Sequence, residues 1–308
     1  MHCKKVGLSI VTCVYNGSEF VNSYFEKLKE ILYLVERVII VDDGSNDDTA
    51  LKLNDNKIGL ESKVKIETKK NTGLPDSRNV GLDLVDSDYV IFLDIDDYIC
   101  PRGLERALEY LSFNSVDFIY GDVKYFSNEK SSCVNNVVSQ LKKIKQPNFS
   151  NLKEKIFYNN YLVTPGACIF SVKKAKDIRF DPSLSLGEDW DFFSRLIPFS
   201  SGAYISEYQV NYFVYSKSMS STLFKDKNKV KLLKSKMVAN FSNVSAENVN
   251  QYSQFLELNF EYFFLKKSLH SRSLFEVCNK LFHLYFSGSN NYGFKTINSI
   301  KLLLMRII

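Results

Sequence analysis

Apolar and polar positions change period repeatedly along the first 220 or so residues. LSIVTCVY (8–15) is almost continuously apolar and β-branched, the pattern of a buried strand. Between Ser18 and Leu34 the apolar residues Phe20, Val21, Tyr24, Phe25, Leu28, Ile31 and Leu32 recur at helical spacing. RVIIVDDGS (37–45) predicts a second strand ending in Asp42, Asp43 and a Gly-Ser turn, and Asp47 or Asp48 is placed to cap a helix through Leu53. KVKIETKK (63–70) alternates as a third strand, and NTGLPDSRNVGLDLV (71–85) is a Gly/Pro loop leading into a helix. YVIFL (89–93) is a fourth strand. Strand-helix alternation with short loops predicts an α/β fold on a mostly parallel sheet flanked by helices.

Further along, Pro101 opens a helix, PRGLERALEYL, and DFIYGDVKYF (117–126) reads as a strand. Residues 127–150 are polar and predict a loop or hairpin. LSLGEDWDFFSRL (184–196) begins as a turn and becomes helical at its acidic cluster, and YISEYQVNYFVYS (204–216) is strand-like. From 225 the pattern is helical and basic, which puts the expected domain boundary near residue 224.

One strand runs straight into acid: FLDIDD (92–97) carries Asp94, Asp96 and Asp97. Three such carboxylates raise one another's pKa unless a cation sits among them, and hard divalent cations prefer carboxylate oxygens. The same residues also suit an acidic turn capping the next helix. Position adds weight to the first reading. Tyr15, Asn16, Asp42, Asp43, Asp94, Asp96 and Asp97 all fall at predicted strand C-termini, the side on which parallel sheets bind ligands.

Composition narrows the chemistry. The 308 residues, 45% hydrophobic and 24% charged, are ordinary for a soluble globular protein. The six cysteines, at 3, 13, 100, 133, 168 and 278, form no CxxC pair and fit neither a zinc site nor a disulfide framework. No signal peptide is visible, so a reducing cytoplasm is expected. No apolar run approaches membrane-spanning length, since ILYLVERVIIV (31–41) is broken by Glu36 and Arg37. There is no GxxxxGK[ST] and no GxGxxG after the first strand. A bound diphosphate would therefore need other neutralisation, such as a metal held by carboxylates. The histidines are His2, His270 and His283, which disfavours histidine triads and a His-rich zinc centre between residues 3 and 269. A general base there would be a carboxylate, Lys, Tyr or Cys. GEDWDFF offers Glu188, Asp189 and Asp191 beside Trp190 and Phe192, which could shield a carboxylate and raise its pKa. The alternative is a helix N-terminus, where acids suit the macrodipole.

LSIVTCVYNG, VIIVDDGSNDDT, NTGLPDSRNVGL, YVIFLDIDD and GEDWDFFSRL, in this order over roughly residues 6–220, resemble an inverting GT-A glycosyltransferase of family 2. The resemblance implies a GT-A (Rossmann-like) catalytic domain over 1–224, with a sugar-nucleotide half (about 1–100), an acceptor half (about 101–224) and a helical C-terminal extension (225–308). By its motifs, Tyr15 packs on the nucleotide base and Asp43, with Asp42 beside it, hydrogen-bonds that base. Arg78 lies near the nucleotide, and Asn71 and Gly73 shape the loop around it. Asp94 and Asp96 correspond to the DxD pair, Asp94 toward the ribose and sugar and Asp96 on Mn²⁺ or Mg²⁺, with Asp97 an extra acid. Asp189 corresponds to the catalytic base, with Glu188 its neighbour and Trp190 and Asp191 on the acceptor side. The implied partners are a nucleotide-sugar donor, a UDP-sugar by family frequency, and a glycan or lipid-linked saccharide acceptor in surface-polysaccharide (capsule or lipopolysaccharide) biosynthesis.

Two departures stand out. Cys13 and Val14 precede Tyr15 where the family often has Pro. Tyr215, Ser216 and Lys217 stand where many members carry Arg or His, so Lys217 is either a diphosphate contact or an ordinary surface lysine. The net charge of +5 is uneven, with 13 Lys/Arg against 5 Asp/Glu in residues 225–308. KDKNKVKLLKSKM (225–237), LNFEYFFLKKSL (258–269) and SIKLLLMRII (299–308) mix basic and apolar residues, as in helices that lie on an anionic membrane face. A peripheral position on the inner face of the bacterial plasma membrane is one expectation; packing on the catalytic domain or dimerisation are the others. Nucleic-acid binding is not expected, for no binding motif accompanies these helices. Two other functions compete: a haloacid-dehalogenase-type phosphohydrolase, whose DxD usually opens the chain, and a non-catalytic sugar-nucleotide or glycan-binding module, which has no need of acids at both DxD and ED.

Overall fold

Seven apolar or small residues in a row, Leu8–Val14, make β1 buried along its whole length, so this strand lies at the centre of a sheet covered on both faces. The computed structural model describes residues 5–128, 138–144, 148–214 and 226–268. β1 pairs parallel with β2 (Arg37–Asp42) on one side and with β4 (Tyr89–Phe92) on the other, in the registers Val14↔Asp42 and Val11↔Phe92. β3 (Val64–Thr68) adds parallel to β2. Beyond β4 the sheet is mixed. β8 (Cys168–Ser171) joins β4 and β6 (Phe118–Asn128) antiparallel to both, β9 (Gly202–Val214) runs parallel to β6, and β5 (Tyr98–Ile99) closes the edge antiparallel to β9. Among the described residues the order is β3-β2-β1-β4-β8-β6-β9-β5, with β7 (Val138–Ile144) antiparallel on β6. The polar stretch after residue 126 thus contains the returning strand of a hairpin.

The helices are α1 (Val21–Lys29), α2 (Thr49–Lys57), α3 (Leu74–Asp83), α4 (Pro101–Phe113), α5 (Phe149–Lys155), α6 (Val172–Ile178), α7 (Glu188–Leu196), α8 (Lys227–Ser242) and α9 (Val249–Ser268). The helical pattern expected over 18–34 resolves into α1 and a 3₁₀ turn at Leu32–Leu34. Asp47, rather than Asp48, accepts the first amide of α2, from Thr49 at 3.0 Å.

An aromatic cluster fixes α7 against the sheet. Phe192 stacks on Phe180 at 4.2 Å and meets Phe170 edge-on at 5.4 Å, while Phe92 meets Phe180 edge-on at 4.9 Å. All four rings are at most 2% exposed. Burying Phe192 and Phe193 leaves the N-terminus of α7, with its acids, at the sheet's ligand-binding end.

The chain divides into two compact units, Met1–Glu247 and Asn248–Ile308. The first continues past the boundary near residue 224 suggested by the sequence, because α8 is built into it. Leu233, Met237 and Phe241 are buried, and the Asn240 side-chain amide donates to Asp191 Oδ1 at 2.9 Å and Ser194 Oγ at 2.8 Å on α7. In the second unit, Tyr252, Leu256 and Phe260 recur on one side of α9 and are buried. Among the described residues no helix is long and apolar enough to cross a membrane. Tyr215, Ser216, Lys217 and the segment 299–308 lie outside the described residues.

Candidate active site

The carboxyl ends of β1, β2 and β4 bring the sequence-predicted residues to one end of the sheet. After β1, Asn16 turns with φ 50°, a conformation asparagine tolerates, and leaves Tyr15 50% exposed. The β1 and β2 loops are stitched together: Asn16 N–H donates to Ser45 Oγ at 2.9 Å, Asn46 N–H to Asn16 Oδ1 at 2.9 Å, and Gly17 N–H to Thr49 Oγ1 at 3.0 Å. The exposed ring of Tyr15 therefore stands on a braced turn.

Asp43 organises the next loop. The amides of Thr72 and Gly73 donate to its two oxygens at 3.0 and 2.9 Å, and Lys69 Nζ donates at 2.5 Å. Burial alone would raise the Asp43 pKa, but these partners outweigh it and hold it below the usual carboxylate range. Gly73 has φ 98°, a conformation that suits glycine and aims its amide at Asp43. Asn71 is exposed beside this loop. Asp42 is 1% exposed; Ser45 N–H donates to its Oδ1 at 3.0 Å, while Oδ2 has no partner among the described residues.

The FLDIDD acids take three different roles. Asp97 is 1% exposed and accepts the Phe213 amide at 3.1 Å, so it ties the turn to β9. Asp96 is pushed up to about 7, first by burial and then by the charge of Asp94. Asp94 is one-third exposed and accepts from Arg78 at 2.8 Å.

Arg78, expected beside the nucleotide, is 3% exposed and is the hub of the site's ion pairs. One nitrogen donates to Asp94 Oδ1 at 2.8 Å and another to Glu188 Oε1 at 3.0 Å, and the guanidinium lies 5.2 Å from the centre of the Phe180 ring. Burial opposes its charge, but Asp94 and Glu188 more than compensate and its pKa is raised. One buried cation thus joins Asp94, after β4, to Glu188 at the start of α7.

α7 starts after Gly187, whose φ of 68° makes the tight entry, and opens with Glu188, Asp189 and Asp191 in its first turn. Asp189 Oδ1 accepts the Trp190 amide at 2.7 Å and Oδ2 accepts the Asn160 side-chain amide at 2.8 Å. Its pKa is raised to about 7, first by burial and then by Glu188, against the lowering effect of Arg78 and these bonds. A carboxylate poised there can take a proton near neutral pH. The macrodipole also favours these acids, so both sequence readings of GEDWDFF have a physical basis here. The two residues expected on the acceptor side have structural partners. The Trp190 indole is buried and donates to the Ile156 carbonyl, and Asp191 is fully buried with Arg195 on Oδ2 and Asn240 on Oδ1.

Sequence reasoning missed Asn160 and Tyr212. Asn160 comes from an irregular stretch in which Asn159 is as good a candidate. The Tyr212 phenol is pushed up by burial and then by Asp97, Asp94, Asp189 and Asp96, which places it among the site's acids. Its strand alternation carries no sign of that.

Among the described residues no three acidic, histidine or cysteine side chains converge to hold a metal by themselves. Asp94 and Asp96 nevertheless fit a divalent cation as a two-carboxylate site. Both are hard oxygen donors, and the repulsion that raises Asp96 is what a cation would relieve. Mn²⁺ or Mg²⁺ would be held there by Asp94 and Asp96 and would supply positive charge to a bound phosphate.

The sequence model described as "Glycosyl transferase family 2" matches residues 9–179. The teichoic acid poly(glycerol phosphate) polymerase of Staphylococcus epidermidis is 30% identical over 195 residues, 60% of this chain and 25% of that protein. The chain therefore spans about a quarter of that relative's length. The crystal structure of S. aureus TarS 1–349 in complex with UDP-GlcNAc superposes with a TM-score of 0.63 at 20% identity, covering 88% of this chain and 77% of that one. The mannosyltransferase PcManGT from Pyrobaculum calidifontis, in complex with GDP-Man and Mn²⁺, superposes with a TM-score of 0.53 at 12% identity, covering 98% and 86%. At these identities the structural matches bear on the fold, which is that of TarS.

Proposed function

The chain belongs to glycosyl transferase family 2, and from that premise we propose that it is an inverting enzyme that moves a sugar from a nucleotide-sugar donor to a hydroxyl of a glycan or lipid-linked acceptor in bacterial surface-polysaccharide assembly. The donor is a UDP-sugar in this reading. Tyr15 stacks on the base. Asp43, braced by Lys69, Thr72 and Gly73, accepts a donor such as the imide N–H of uracil in this reading. Asp42, Asn71 and Gly73 shape that pocket, and Asp94 faces the ribose and sugar. A divalent metal held by Asp96 and Asp94 would neutralise charge on the departing diphosphate. Asp189 removes the proton of the attacking hydroxyl on the face opposite the leaving group, so a single displacement inverts the anomeric centre. Glu188 holds Arg78 beside it, and Arg78 keeps Asp94 in place. The TarS complex with UDP-GlcNAc and the polymerase relative support the donor class and the polymer setting.

The observation that carries the reading is the Arg78 link. It joins Asp94, on the donor side in this reading, to Glu188, the neighbour of the pKa-shifted Asp189 on the acceptor side. The test is a screen of UDP-, GDP- and dTDP-sugars with Mn²⁺, read as release of nucleoside diphosphate. Release from one donor, abolished by EDTA and by Asp96→Ala, is expected. No release and no metal-dependent binding of any donor would sink the proposal and favour a phosphatase or a binding module.

A further inference from the structure

The stretch between α5 and β8 is packed against the start of α7. Phe157 and Leu162 are at most 1% exposed, and the Ile156 carbonyl accepts the Trp190 indole. Val163 sits at φ 68°, a strained conformation for a β-branched residue, which persists only where the surroundings over-determine it. Between these anchors, Asn160 Nδ2 donates to Asp189 Oδ2 at 2.8 Å, and its own Oδ1 is buried with no partner among the described residues. An unpartnered buried acceptor is a cost that a purely structural asparagine avoids. The amide cannot be turned round against an ionised carboxylate, because two acceptors would then face each other.

We propose that Asn160 is a positioning residue for the reaction: it fixes the Asp189 carboxylate against the N-terminus of α7 and holds it ionised, ready to accept the proton of the incoming hydroxyl. The proposal rests on the reading of Asp189 as the base. Among the described residues, the other groups that act on Asp189 are Glu188 on its own helix, Arg78 from α3, Cys168 from β8 and Tyr212 from β9. Only Arg78 among them is a cation, and it is shared with Asp94 and Glu188. Among the described residues, Asn160 is the one side chain that donates directly to Asp189.

Trp190 makes the test independent of activity. It is the single tryptophan of the chain, and its backbone amide donates to Asp189 Oδ1 at 2.7 Å. In the 308-residue chain labelled with ¹⁵N-tryptophan, the Trp190 amide reports Asp189 ionisation directly. The expected wild-type midpoint is about 7, and Asp189→Asn abolishes the transition. Asn160→Ala should raise the midpoint by about one unit, a tenfold loss of acidity. The isosteric Asn160→Asp, which puts an anion in place of the donor, should raise it further. Circular dichroism identifies any variant that fails to fold. A midpoint unchanged to within about 0.2 units in both variants would overturn the proposal. In parallel, UDP release from UDP-GlcNAc with Mn²⁺ is followed against pH. An acid limb that moves with the amide midpoint supports the proposal, and one that stays put while the midpoint moves overturns it. Absence of release even in the wild type counts against the transferase reading alone, and the amide midpoint then decides for Asn160.

Discussion

Replacing Arg78 by Met tests the hub. Methionine keeps most of the apolar stem and the contact with Phe180 but removes the charge. Glu188, with its side chain 15% exposed, loses the Arg78 partner, and so does Asp94, 33% exposed. Stranding a buried charge costs about 3–5 kcal/mol. Asp94 can rehydrate, which puts the cost at the lower end, about 3 kcal/mol. For a compact unit of this size, about 2–4 °C per kcal/mol gives a melting point lowered by about 6–12 °C. The assay is a thermal melt at neutral pH of the wild type, Arg78→Met, and Arg78→Met combined with Asp94→Asn and Glu188→Gln. The triple variant should recover most of the loss, because neutral amides need no counter-charge. The acid limb of any transfer activity should also move up in Arg78→Met, since Arg78 favours the ionised form of Asp189. A single variant that melts within about 1 °C of the wild type, or a triple variant no more stable than the single, would refute the hub.

Three further outcomes are expected. Because Asp189 must be ionised to act and its pKa is raised to about 7, turnover should fall about tenfold per unit as pH drops below that value. The limb should vanish in the residual activity of Asp189→Asn, as a pH-rate series will show. Asp43→Asn should cost about 1.5–3 kcal/mol at neutral pH. Since the Asp43 pKa is depressed in the folded chain, its stabilisation is present above the ordinary carboxylate range and is lost as pH falls through the lowered value. The gap between variant and wild type in urea unfolding should therefore close on acidification. Asn240→Ala removes two buried bonds to α7 and should destabilise the first unit by about 1–3 kcal/mol. A loss below about 0.5 kcal/mol would mean that α8 is not built into it.

Much of the site at the ends of β1, β2 and β4 was legible in the sequence because it rests on local patterns. Buried parallel strands read as continuous apolar runs, and their polar terminators, Asp42, Asp43, Asp94 and Asp96, have nowhere to go but the sheet's carboxyl end. The connections made across the chain were not legible. Arg78 sits 16 residues from Asp94 and 110 from Glu188, and only the packing of α3 and α7 on the same sheet joins them. Asn160 comes from an aperiodic stretch, and its partner lies 29 residues on. Asp191 looks like its neighbour Asp189, yet helix geometry turns it toward Arg195 and Asn240. The boundary near 224 followed the change in charge. The first unit instead continues to Glu247, because the apolar side of α8, with Leu233, Met237 and Phe241, is buried in it.

The most direct measurement compares donor binding with donor turnover in wild type, Asp96→Ala and Asp189→Asn, using the sugar nucleotide selected by the screen. Calorimetry with Mn²⁺ gives binding, and nucleoside diphosphate release gives turnover. A donor half and a base half predict that Asp96→Ala loses both, whereas Asp189→Asn binds as the wild type does and turns over at least a hundredfold more slowly, the typical loss when a general base is removed. An Asp189→Asn variant that releases nucleoside diphosphate at the wild-type rate would contradict the account.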